Sequence, residues 1–148
     1  MSTAEIGDML NTIGQHAANV LGKIPADVFV YLRAGDQWME GAIFDNLENE
    51  VIYHDPSAEM VELVIRLWEA ADPDKKWEML HYDIKDDAFE VEYFYPEQLD
   101  PEEGSPDHRE RALAKRYGNK PVIYPEPSPG NWHDLGADDL PDDEFRPA

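Results

Sequence analysis

The sequence predicts an α+β fold, an antiparallel sheet of about five to six strands packed with about three helices and followed by an irregular acidic C-terminal tail. Three observations predict it. Apolar residues recur at helical spacing in two long segments. Between and after them, runs rich in aromatic and β-branched residues alternate with polar ones and are separated by Gly, Asp and Asn turns. Successive strand candidates follow one another through short turns, which reads as an antiparallel meander over residues 28–53 and a hairpin over residues 77–95.

The first helix rests on Ile6, Met9, Leu10, Ile13, Ala17, Val20 and Leu21, which form one stripe. Ser2 and Glu5 have capping-box spacing, and Gly22 with Pro25 supplies a stop. Val28, Val30 and Leu32 then alternate with Phe29, Tyr31 and Arg33 in a first strand. Ala34 to Gln37 turns the chain, residues 38–44 make a second strand, Asp45 to Asn49 turns again, and Glu50 to Tyr53 makes a short third. Ser57 caps a second helix whose apolar face is Met60, Val61, Val64, Leu67, Trp68 and Ala71. Glu59, Glu62, Arg66 and Glu69 lie away from that face, and Asp72-Pro73-Asp74 closes the helix.

The clearest hairpin runs from Trp77 to Ile84, through Lys85-Asp86-Asp87, and back from Ala88 to Tyr95. Phe89, Val91, Tyr93 and Tyr95 share one face, and Glu90 and Glu92 share the other with Phe94. A face carrying two acids and an aromatic is expected to be half exposed and to serve as a contact surface. Pro96 to Ser105 is an acidic connector. Pro106 suits the first turn of a third helix, with Ser105 as its cap and Gly118 at its C-terminus. Val122 to Tyr124 reads as an edge strand. Residues 1–124 are therefore expected to form a single α+β domain. Residues 125–148 form a Pro/Asp-rich tail, partly irregular, with Trp132, Leu135, Leu140 and Phe145 as its points of attachment.

Charge narrows the function. Thirty-three acidic residues against twelve basic ones leave a net charge of −21. Nineteen acids and four bases fall within residues 45–103, a net of −15. Such a field repels nucleic-acid backbones and anionic membranes and attracts basic proteins. No direct nucleic-acid or membrane partner is expected. Arg109, Arg111, Lys115 and Arg116 form the one basic island, and pairing with the chain's own acids is the expected fate of these side chains.

Cysteine is absent, so disulfides, thiolate metal sites and a cysteine nucleophile are excluded. No phosphate-binding loop, dinucleotide fingerprint or Gly-x-Ser-x-Gly motif occurs. His81 and Asp83 lie two apart on a strand and so face the same way, but no further ligand can be placed beside them. Glu78, Glu90 and Glu92 are a carboxylate cluster that acts as acid and base only if burial separates their pKa values. No catalytic residue, metal or cofactor is expected. The start of the chain carries neither a basic n-region nor an apolar core, and no run approaches bilayer length, so a cytoplasmic location is expected.

The chain also resembles the YezG-type immunity proteins. The resemblance rests on the first helix ending near Ile24-Pro25 before the strand Val28-Phe29-Val30-Tyr31. It continues through the block from Trp77 to Leu99, with Tyr82, Ile84, Asp86-Asp87, Phe89-Glu90 and Phe94-Tyr95. The helix bearing Arg109 and Arg111 and the ending Tyr117-x-x-Lys120-Pro121 complete it, over about residues 5 to 124. Where the family carries a tryptophan in that helix, this chain has Leu113 and Ala114. The resemblance implies a non-enzymatic antitoxin that binds and neutralises a co-produced toxin, often a nuclease, on an α+β fold.

Physical reasoning then points to a basic protein partner, held by carboxylates and by aromatic anchors. Trp38, Tyr53, Tyr93, Phe94 and Tyr95 are candidate anchors. The expected contact surface is Glu90, Glu92 and Phe94 with Glu97, Asp100, Glu102 and Glu103 of the connector. The alternatives are an acidic adaptor or regulator of some other protein, a metal-dependent enzyme built on the acid-rich hairpin, and a nucleic-acid mimic. Composition leaves the oligomeric state open between monomer and homodimer.

Overall fold

A computed structural model describes residues 3–124 except Asp87 and Pro101. The expected cap at Ser2 and the expected tail from Pro125 lie outside the described residues. Ten elements follow one another. Helix α1 (Thr3–Leu21) leads into β1 (Asp27–Gly35), β2 (Trp38–Asn46) and β3 (Val51–His54). Helix α2 (Ala58–Glu69) precedes the hairpin of β4 (Met79–Lys85) and β5 (Ala88–Phe94). A single 3-10 turn (Pro96–Gln98), α3 (Ser105–Tyr117) and β6 (Val122–Ile123) complete the fold. The class is α+β, as the periodicities predict.

The six strands lie in the order β5-β4-β1-β2-β3-β6. Every pairing is antiparallel except β3 with β6, which run parallel. That exception follows from the route of the chain. A helix intervenes between the hairpin and Val122, so the last strand need not reverse on its neighbour. Lys120 anchors the return by donating to Asn46 Oδ1 at 2.8 Å and to the Leu47 carbonyl at 2.9 Å.

Both faces of the sheet are covered, which explains the strand sequences. On one face Val28, Val30 and Leu32 of β1, Ile43 of β2, and Leu80, Tyr82 and Ile84 of β4 pack under α1 and α2. From the helices come Ile13, Ala17, Met60, Leu63, Val64 and Leu67. Leu63, absent from the sequence-read stripe, is buried with the rest. On the other face Phe29, Tyr31, Phe44, Val51 and Met79 pack against Ala112 and Leu113 of α3. The central strand is thus apolar at successive positions, as a doubly covered strand must be.

Local chemistry sets the ends of the helices. Gly22, at φ 72°, ends α1 and donates to the Ala18 carbonyl at 2.8 Å. Ser57 Oγ accepts the Met60 amide at 3.2 Å and starts α2. Lys76 closes α2 from outside, its ammonium donating to the carbonyls of Trp68, Glu69 and Ala71 at 2.9–3.0 Å. The expected cap of α3 is corrected. Ser105 is already in the helix, Gly104 takes the cap position, and the Gly104 amide donates to Asp107 Oδ2 at 3.3 Å. The acid three residues on satisfies the amide that would otherwise be left open. No described helix is long and apolar enough to cross a membrane.

Candidate functional site

Strand β5 is one of the two outer strands of the sheet, so its outer edge faces away from the other strands. Alternation places Glu90 opposite Asp83 and Glu92 opposite His81, on the face toward α3, with Phe94 opposite Met79 on the same face. Glu90 and Glu92 are exposed, beside the end of α3, whose Lys115 and Arg116 line the same basin. Phe94 is only half exposed. It turns inward against His81, ring centroids 4.5 Å apart, and joins the core under α3 with Leu99. The face read as half exposed is therefore divided: its acids are outside and its aromatic is largely inside.

The connector carries the rest of the expected surface. Glu97, in the 3-10 turn, is exposed, as are Asp100 and Glu102. Asp100 Oδ1 accepts the Glu102 amide at 2.9 Å and so shapes the loop. Glu103 is half-buried, pairs with Arg111, and holds a carboxylate oxygen 3.7 Å from His108 Nδ1. Among the aromatic anchor candidates, Trp38 is exposed. Tyr53, Tyr93 and Tyr95 are half-buried, Tyr93 on the α1/α2 face beside Trp77 and Tyr95 beneath the Lys75 ammonium. Burial, with Asp55 accepting its hydroxyl proton, pushes Tyr53 up to about 12.

Two of the four bases of the island, Arg111 and Arg116, are paired with the chain's own acids, and Arg109 and Lys115 form no ion pair among the described residues. Arg116 donates twice to Asp83, Arg111 pairs with Glu103, and Lys85 reaches Asp27 at 3.0 Å. Arg116 also lies 3.4 Å from His81 Nδ1. Arginine has no acceptor, so a hydrogen bond at this distance is one that Nδ1 accepts, and Nε2 is buried with no hydrogen-bond partner among the described residues. Burial first, and the Arg116 charge second, push this imidazole down to about 4. His81 and Asp83 do face the same way, as their spacing requires, but Arg116 occupies the Asp83 carboxylate. Among the described residues no group of three or more His, Asp or Glu side chains converges as a metal would need.

A second feature was not read from the sequence. The hairpin tip and the second half of α1 enclose a groove of about 230 Å³. Its floor is Tyr82 and Ile84; Ile24 and Phe89 stand on its walls. Ile24 is 79% exposed and Phe89 37%, two of the six large hydrophobic residues exposed among the described residues. The signal available in the sequence was Ile24 beside Gly22 and Pro25, an apolar residue in a turn where nothing covers it. No protein-family model and no curated protein matches the chain.

Proposed function

We propose that this protein is a non-catalytic binder that neutralises a basic protein, as the immunity proteins it resembles do, by setting the outer edge of β5 and the following connector against a cationic surface. One observation carries the reading. Glu90, Glu92 and Glu97 are exposed and make no ion pair among the described residues, whereas two of the three bases that line the same basin as Glu90 and Glu92, Lys85 and Arg116, are engaged with Asp27 and Asp83, and only Lys115 stands without an ion pair among the described residues. The exposed carboxylates thus outnumber the one unengaged base beside them, Lys115, and are available to a partner.

A toxin that acts on nucleic acid must carry a basic cleft, because its substrate is a polyanion. Carboxylates presented to that cleft speed capture, to rates of about 10⁸–10⁹ M⁻¹s⁻¹ at low salt. They also compete directly with substrate. Nothing is transformed in this reading; inhibition is stoichiometric. The test is co-expression with the product of the neighbouring gene, scored by survival of the host, followed by stopped-flow association of the two purified proteins. Survival, a stoichiometric complex, and an association rate that falls steeply with salt support the reading. A rate indifferent to salt, or full protection by an E90K/E92K variant, overturns it.

A further inference from the structure

Charge alone gives fast capture but weak retention; a long-lived complex needs desolvated apolar anchors. The groove between α1 and the hairpin is built to accept one. Tyr82 forms its floor, with the hydroxyl spent on the Leu10 carbonyl at 2.7 Å and the ring stacked 4.9 Å from that of Phe89. Tyr82 is itself fully buried, so the apolar surface offered to an incoming group is that of Phe89 and Ile24. Gly14 keeps the helix wall low, since a Cβ there would sit 2.9 Å from the Tyr82 hydroxyl oxygen. Ile24 stands opposite Phe89 with most of its surface in water, which costs free energy unless something covers it.

The groove is not isolated from the acidic edge. Ala88 and Phe89 line both it and a basin on the opposite side of β5 that carries Glu90 and Glu92 together with Asp83, Lys85, Lys115 and Arg116. Arg116 is engaged with Asp83 and Lys85 with Asp27, which leaves Glu90 and Glu92 without an ion pair among the described residues. One segment wrapped over the start of β5 would reach both. Asp86, also at the groove, adds a third carboxylate. A second copy of this chain is a poor occupant, because each copy carries −21 and would bring like charge to the same edge.

Resting on the partner-binding reading above, we infer that this groove takes a single aliphatic side chain from a basic partner protein, with lysines or arginines on either side of it set against Asp86, Glu90 and Glu92. The aliphatic residue supplies retention and the cations supply capture.

The inference is tested on the full chain by amide NMR titration with three synthetic peptides: Lys-Lys-Leu-Lys-Lys, its Leu-to-Ser counterpart, and Glu-Glu-Leu-Glu-Glu. The leucine peptide is expected to shift the amides of Gly14, Ile24 and Phe89 together with those of Glu90 and Glu92. The serine peptide is expected to shift only the acidic edge, with about tenfold weaker binding, and the acidic peptide nothing. Ile24→Ser, at an exposed turn position that leaves the core untouched, should reduce the leucine peptide to the affinity of the serine one. Equal binding of both basic peptides at the acidic edge alone overturns the groove while leaving the charge-based reading standing. No shift with either basic peptide overturns both. Concentration-dependent shifts of the groove amides without peptide would make a second copy the occupant and overturn the assignment.

Discussion

Arg116 grips Asp83 with two nitrogens, Nε at 2.6 Å and Nη2 at 2.8 Å, while its guanidinium carbon lies 3.9 Å from the centroid of the Phe29 ring. One side chain of α3 thus binds a strand by charge and its neighbour by stacking. Replacing it by lysine keeps the charge but loses the fork and the flat face. Arg116→Lys should cost about 1–2 kcal/mol and Arg116→Ala about 2–3, part of it from leaving Asp83 without its partner. Urea unfolding of the three proteins checks the order.

The same region sets the acid limit of stability. His81 is 8% exposed, and burial and Arg116 hold its imidazole neutral down to about pH 4. Lys115 and His108 add to the depression and Asp83 opposes it. In the unfolded chain the ring takes its proton near 6.5. Between those values the unfolded state binds a proton that the folded state refuses, so stability falls as pH drops through the window from about 6.5 to 4. The loss from this ring is at most about 3 kcal/mol. His81→Phe should flatten the stability curve across that window, measured by thermal melts at closely spaced pH values.

Gly14→Ala should destabilise, although alanine is the better helix former. Its Cβ would meet the hydroxyl of Tyr82, a buried ring held by Leu10 and Phe89 and unable to swing away. Overpacking of about 1–3 kcal/mol outweighs a propensity gain of up to about 1. The control is Gly7→Ala, where an added Cβ meets nothing within 4 Å and the protein should be stabilised.

Lys76 closes the last turn of α2 with three donated hydrogen bonds and stands 4.6 Å from the centroid of the Trp68 ring. Lys76→Met keeps much of the stem and loses the donors. It should lower the urea midpoint by an amount equivalent to about 1–2 kcal/mol. Hydrogen exchange at Ala70 and Ala71 should rise first, since their amides close the same turn.

How far the fold was legible depends on which physical question is asked. Alternation in Val28 to Arg33 and in Phe89 to Tyr95 identifies strands, and the spacing of Ile6 to Leu21 identifies a helix, because each period is a local property of the backbone. What covers a face is not local. Phe94 sits with Glu90 and Glu92 by parity, yet it is drawn inward because Ala112 and Leu113 of α3 join the core on its part of the sheet, while the acids lie in an open basin beside the polar end of that helix. Arg111 and Arg116 look like a basic island along the chain, and only the fold brings Glu103 and Asp83 to them. Ile24 and Phe89 were missed for a related reason: the period says which way a side chain points and not where the helix above it ends. The parallel pairing of Val122 with Val51 depends on the path of a connection, which no pattern of residues records.

The place of β6 in the strand order has a practical consequence for geometry. Residue Tyr124 leaves the sheet at β6, and β5 lies at the opposite border, five strand spacings or about 24 Å away. Whatever chain follows therefore sets out from the side remote from Glu90 and Ile24. A dye or tether introduced at Tyr124 would begin well clear of the hairpin, close enough to report an arrival there by energy transfer and too far to stand in its way.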